Sequence, residues 1–316
     1  TLLCNLSLKS VFIIHLYLNT FIMKTKINLT MWLAAFAVLG ALTFTSCKKE
    51  TSAGIVTDNS TPAEVAATVN ASTEDAEAEE QFDDVFNITA SISAEDAGED
   101  LGMGTNVSAG LGEPGIRLTP TTPRCYTVTV VPRQPGVFPK TVTIDFGTGC
   151  LGRDGKFRKG KIVTIYTNRM LVPGAKISTT FVGYSVDSFS IEGTHITENT
   201  STSNMQGLKV SVIDGKITNT NTGNWRKWNS TKNILQIEGN GTPNFPIDDV
   251  YKITGGARGS NSFGHNWAST IVEPLIKKFT CRWIVKGTVR LIRDGREALI
   301  DYGNGNCDNL AIIYIN

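Results

Sequence analysis

The chain has 316 residues, 41% of them hydrophobic, with 30 Lys or Arg against 29 Asp or Glu and three His. That length is enough to bury one large core or two small ones. A net charge of +1 excludes a general pull of the whole chain toward polyanions or polycations.

A complete export signal begins at Met23. Lys24 and Lys26 form a short positive segment, Leu29 to Phe44 an apolar run, and Thr45-Ser46 the small residues before Cys47. Positive, apolar, small and then cut is the order of a secretory signal. A cysteine directly after the small residues marks the lipoprotein variant, in which the thiol takes a diacylglycerol before cleavage. The apolar run is short of the roughly twenty residues that a spanning helix needs. Residues 23–46 are therefore expected to be a signal peptide and Cys47 a lipid anchor; the alternative is an uncleaved helix with an incidental cysteine. Residues 1–22 read as an over-extended N-terminus, which removes Cys4 and His15 from functional argument. No later segment resembles a membrane span, so lipid on Cys47 is the one membrane attachment expected.

The near-zero charge hides a division. Glu50 to Ile116 holds fifteen Asp or Glu and no Lys or Arg, whereas Arg117 onward holds twenty-five Lys or Arg against fourteen Asp or Glu, a net of +11. One sign of charge with few aromatics describes a segment too polar to collapse. Residues 47–116 are thus expected to be a largely disordered acidic tether that lifts the rest off the bilayer. Phe82 to Ile88 has apolar content for one short helix or strand. The competing reading is that this stretch folds back on the basic domain and shields it.

Residues 117–316 read as an all-β domain, an antiparallel sandwich or open barrel of about a dozen strands. Short alternating runs of β-branched and aromatic residues recur at Tyr126–Val131, Thr141–Phe146, Lys161–Thr167, Ile177–Phe181, Val186–Ile191, Leu208–Ile213, Ile234–Ile237, Trp283–Leu291 and Ala311–Ile315. Asp214-Gly215 and Asp294-Gly295 are expected to be tight hairpin turns. A hairpin pattern occurs twice. Cys125 is followed after twenty residues by Asp145-Phe146-Gly147-Thr148-Gly149 and then Cys150; Cys281 is followed after twenty by Asp301-Tyr302-Gly303-Asn304-Gly305 and then Cys307. The midpoints of the two cysteine pairs fall on the Pro135–Pro139 segment and on Asp294-Gly295, so disulfides Cys125–Cys150 and Cys281–Cys307 are expected across their own hairpins. A cross-copy pairing, or free buried thiols, are the alternatives.

The segments 144–150, 154–162, 281–289 and 301–309 resemble a Bacteroidota β-rich lipoprotein family over about residues 120–316. The resemblance implies a Gram-negative envelope, by extension the outer membrane, and a β-rich domain. It supplies no activity, cofactor or catalytic residue to carry over.

Chemistry is sparse in the sequence. His195 and His265 are the only histidines after Cys47 and neither sits in a metal motif. Gly259 to Gly264 misses the spacing of a nucleophile elbow and reads as a turn. The two Asp-aromatic-Gly-x-Gly segments offer too few carboxylates for calcium and read as turns built by the Asp side chain. No enzyme, metal or cofactor is expected. A ligand surface is suggested by Arg153, Lys156, Arg158, Lys159 and Lys161 on one loop and by Trp225-Arg226-Lys227-Trp228. Tryptophan faces suit sugar rings, and cations suit phosphates or acidic glycans; the compartment argues against nucleic acid. The expected function is a binding or adhesion module for glycans or anionic envelope components, against a structural envelope lipoprotein with no small-molecule ligand. A single acyl chain binds a membrane weakly, and two or three hold it. Cys47→Ala should therefore move the protein to the soluble fraction or leave it unprocessed. A variant that stays membrane-bound at mature size without palmitate label would place the anchor elsewhere.

Overall fold

The computed structural model describes residues 56–57, 61–90, 94–102, 125–152, 154–202, 205–242, 246–281 and 283–315, all within one unit, Ile55–Asn316. The export signal and Cys47 lie outside the described residues. The elements in order are β1 (Val56–Thr57), α1 (Pro62–Ala90), α2 (Ala94–Ala97), β2 (Thr127–Val131), β3 (Lys140–Asp145), β4 (Cys150–Leu151), β5 (Phe157–Tyr166), β6 (Lys176–Val186) and β7 (Phe189–Asn199). They continue with β8 (Gly207–Asn219), β9 (Trp225–Glu238), β10 (Val250–Asn261), β11 (Asn266–Lys278), β12 (Ile284–Arg293), β13 (Arg296–Asn304) and β14 (Ile312–Ile315).

The fourteen strands form one open sheet in the order β1-β14-β13-β12-β11-β10-β9-β8-β7-β6-β5-β3-β2, with β4 beside β5. The all-β reading holds, as one open curved sheet rather than two sheets of a sandwich. From β5 to β14 every strand pairs antiparallel with the next in sequence. Turns therefore gather at two ends. One is a tight-turn end, with 187–188, 220–224, 262–265 and 294–295 and the longer 146–156 connection that carries β4; the other is a long-loop end, with 132–139, 167–175, 200–206, 239–249, 279–283 and 305–311.

Two turn expectations change. Asp294-Gly295 makes the hairpin turn, both residues at positive φ (48° and 85°), but Asp214-Gly215 lies inside β8 as a bulge, where the pairing to β9 slips between Val212 and Gly215. The run Val186–Ile191 is broken by a turn at Asp187, φ 49°. Strands β10 and β11 escaped the reading because Gly255, Gly256, Gly259 and Pro274 interrupt their alternation.

The register shifts line up across the sheet, at 159/161 in β5–β6, 192/194 in β7–β8, 212/215 in β8–β9, 253/256 in β10–β11 and 286/288 in β12–β13. A bulge bends its strand and tightens its twist, so a row of them folds the sheet across its middle. Gly193 and Gly215 show why small residues stand there. A Cβ on Gly193 would lie 2.7 Å from the Gly215 Cα, and one on Gly215 would lie 3.0 Å from the Phe82 ring.

Phe82 belongs to α1, which is the main correction to the expected tether. Residues 62–90 are helical and packed on the sheet. Thr61 and Glu64 make a reciprocal capping box, the Thr61 amide donating to Glu64 Oε2 at 2.6 Å and the Glu64 amide to Thr61 Oγ1 at 3.3 Å, with Pro62 at the first helical position. Alanine and glutamate carry the helix onward with high propensity. Buried Thr68, Ala71, Ala78, Phe82, Val85 and Thr89 recur at steps of three or four, one stripe of an amphipathic helix. Asp75 occupies the remaining step. The side chain of Phe82 meets Phe181 of β6, His195 of β7 and Trp228 of β9 at centroid distances of 6.2, 6.4 and 5.8 Å. Side chains from strands that far apart converge on one ring because the sheet is concave around it. A second core joins Ala97 and Leu101 to Val130, Val142, Tyr166, Met170 and Ile177.

Both hairpin disulfides form as expected. Cys125–Cys150 and Cys281–Cys307 have Cα atoms 5.6 and 5.7 Å apart, each just beyond the last ladder pair of its hairpin. Phe82→Ala removes the ring that the bent sheet encloses and should lower the unfolding free energy by about 3–5 kcal/mol. The readout is a fall in urea midpoint at unchanged slope. Ala76→Ser, on the exposed side of the same helix, should stay within about 0.5 kcal/mol.

Candidate functional site

The acidic helix and the basic sheet neutralise each other side chain by side chain. Asp75 lies over β9 and β11, where Oδ1 accepts the Trp228 indole N–H at 2.7 Å and the Trp267 indole N–H at 3.2 Å, and Oδ2 accepts the Ser269 hydroxyl at 2.7 Å. Glu64 pairs with Arg296, Glu77 with Arg226 and Glu79 with Lys232. Glu74 accepts both its bonds from the Asn261 amide at 3.0 Å. Asp84 takes the Lys156 ammonium at 2.9 Å and the Arg158 guanidinium at 3.0 Å.

That arrangement absorbs most of the expected ligand surface. Trp228 is 2% exposed and stacked on Phe82, so it is core. Arg158 is 4% exposed between Asp84 and Asp154. Burial disfavours its charge, but the two carboxylates outweigh that and hold its pKa above the ordinary value. Lys156 and Arg226 serve the helix. Lys159 is exposed, Lys161 pairs with Asp145 at 2.7 Å, and Arg153 lies outside the described residues. These cations therefore do not form one open patch.

The histidines take structural places. His195 is buried among Phe82 and Phe86, and burial lowers its pKa to about 4. His265 faces Asp294 at 2.8 Å on the tight-turn end. Asp145 and Asp301 each accept the amide of the glycine two residues on, Gly147 and Gly303, at 2.8 Å. They are turn-building side chains in both copies of the repeated hairpin. Among the described residues no three of His, Cys, Asp and Glu cluster as metal ligands would.

Two surfaces remain for a ligand. At the tight-turn end Trp225 is half-buried, with the Lys227 ammonium 5.5 Å from its ring centroid. Its amide donates to Ser262 Oγ at 3.3 Å, and the next residue of that neighbouring turn, Phe263, is 67% exposed. Exposed Asn221, Thr222 and Asn224 stand on the adjoining turn, where Asn221 Nδ2 donates to Ser188 Oγ at 3.0 Å. At the long-loop end a shallow cleft of about 250 Å³ is lined by Trp283, Ile284, Tyr302, Asp308, Asn309, Leu310 and Ala311, beside Cys281–Cys307. Burial, and then the charge of Glu79, raise the Tyr302 phenol above its usual range. Phe263 and this cleft were missed by sequence reasoning, since a lone exposed aromatic or a loop-lined hollow has no local pattern. No family model, curated protein or solved structure matches this chain.

Near Glu79 and Lys232 sits Asp83, whose carboxyl is raised well above the ordinary range, first by burial and then by Glu79, against the pull of Lys232. An acid whose folded pKa exceeds its unfolded value costs stability above the folded value, and nothing below the unfolded one. Asp83→Asn should therefore raise the urea midpoint at pH 7, and the gain should vanish as pH falls toward about 3.9, the unfolded value. A variant less stable than the parent at pH 7 would instead mean a charged Asp83 held by Lys232.

Proposed function

We propose that the protein is a lipid-anchored cell-envelope module that binds glycans through its tight-turn end. The observation that carries this reading is a half-buried Trp225 and an exposed Phe263 on neighbouring turns of one end of the sheet, which also carry Asn221, Thr222, Asn224 and Ser188. Aromatic faces stack on the C–H faces of sugar rings, and amide and hydroxyl side chains match sugar hydroxyls as donors and acceptors. The strands beneath are ten to fourteen residues long over this region, so the turns sit on a stiff base. With Lys156, Arg158 and Arg226 paired to helix carboxylates, a neutral glycan suits the surface better than an anionic polymer. Residence in the outer membrane rests on the Bacteroidota resemblance.

A structural envelope role without a small ligand is the second reading, favoured by the same internal neutralisation. A glycan array probed with the full mature chain separates the two. Trp225→Ala and Phe263→Ala should each weaken the best binder about tenfold, the equivalent of about 1.4 kcal/mol, with the urea midpoint held. An array without a binder, or binding indifferent to both substitutions, leaves the structural role.

A further inference from the structure

The two ends of the sheet differ in what they expose. Five of the six long loops present a large aliphatic side chain to solvent: Val137, Leu171 with Val172, Met205, Ile247 and Leu310, the most open being Leu171 at 69% and Ile247 at 54%. The sixth loop ends at Trp283 in the cleft. Loop tips of a folded domain are ordinarily polar. At the other end the short turns Asp187-Ser188, Thr220 to Asn224 and Asp294-Gly295 are polar, the exceptions being Phe263, 67% exposed, and Leu151, 66% exposed in the 146–156 connection.

The chain also enters the fold at the long-loop end. Strand β14 starts there, after the 305–311 loop, and runs toward the tight turns, Asp301 facing Ile312 and Ala298 facing Ile315. Strand β1 pairs with it in parallel, Val56 opposite Tyr314, so Val56 comes first from the long-loop side. Eight residues, 48–55, lie between Cys47 and Val56, and the nine steps from one to the other reach at most about 32 Å.

We propose that the long-loop end is a bilayer-docking surface, with Leu171, Met205, Ile247 and Leu310 entering the headgroup–acyl boundary of the membrane that holds Cys47. The proposal rests on the lipid-anchor reading. Single aliphatic tips on separate loops suit a soft apolar medium; a protein partner would call for one contiguous apolar patch. Lys209 and Lys252, near the starts of the strands that leave two of these loops, stand where a stem can lie along apolar surface and its ammonium reach lipid phosphate. Docking at this end turns Trp225 and Phe263 away from the bilayer.

The test uses the full lipidated chain in vesicles of phosphatidylethanolamine and phosphatidylglycerol that carry a doxyl-labelled lipid quencher. A fluorophore is placed through Met205→Cys at the long-loop end, or through Thr222→Cys at the tight-turn end, both exposed positions. Quenching several-fold stronger at 205 than at 222 is expected. Adding Leu171→Glu and Ile247→Glu to the 205-labelled chain should bring its quenching down to the level of 222, with the unfolding midpoint unchanged. Equal quenching at both sites, in protein whose intact mass includes the lipid, overturns the docking and leaves the anchor standing. An intact mass without lipid overturns the anchor and the docking with it.

Discussion

The ring of Phe82 against the Gly215 bulge is the contact on which the architecture depends. An open sheet of this size has a concave face that must be filled, because its inward side chains include Trp228, Trp267, Ile217 and Ile191. A helix can fill it only if the sheet bends enough to receive it and the helix presents something bulky where the bend is sharpest. The row of bulges supplies the bend, and Phe82 is the bulky group. Were Gly215 to carry a side chain, its Cβ would meet the ring at 3.0 Å and the Trp228 carbonyl oxygen at 2.6 Å. Helix and bulge therefore specify each other.

Around that contact several polar groups of the helix and the sheet are paired with one another. Two indole N–H groups buried under a helix need an acceptor, and Asp75 provides one oxygen to both. Lys232 shows the same balance. Burial works against its charge, yet Glu79, and then Asp83 and Asp75, more than offset this and raise its pKa above that of a free lysine. Exposed pairs such as Lys216 with Glu192 add little by comparison, since solvent screens them. At the other end of the helical segment Glu99 is similarly enclosed, by Arg169, the Gly136 amide and Lys140. The charge split along the sequence is thus the two halves of one interface, separated by chain connectivity.

The kinds of exposed side chain also differ between the two ends of the sheet. Short turns carry aromatic and amide side chains at one end; long loops carry aliphatic tips at the other. An up-and-down meander makes this possible, because alternate connections share an end and each end can evolve its own chemistry without disturbing the strands between.

The sequence by itself determined the strand-rich class, the turn at Asp294-Gly295 and both disulfides, because these are local. Alternation, turn residues and the spacing of cysteines about a hairpin all act over a few tens of residues. It also contained the Thr61–Glu64 cap, the alanine content and the three-four stripe of α1, but the stripe is written in Thr, Ala, Asp and a single Phe. Its apolar contrast is weak, and one sign of charge dominates any composition-based reading. Only the tertiary structure decided that the acidic segment is a helix, since its carboxylates find their cations 74 residues away at Arg158 and 232 away at Arg296. The same holds for the candidate site. Trp225 and Trp228 look alike in sequence, but three residues apart on a regular stretch of β9 they face opposite sides of the sheet, Trp228 toward Phe82 and Trp225 away from it. Which face the helix covers, and so which tryptophan a ligand can reach, was decided by the docking of α1 on the sheet, a contact between segments 153 residues apart at Asp75 and Trp228 that no single stretch of sequence carries.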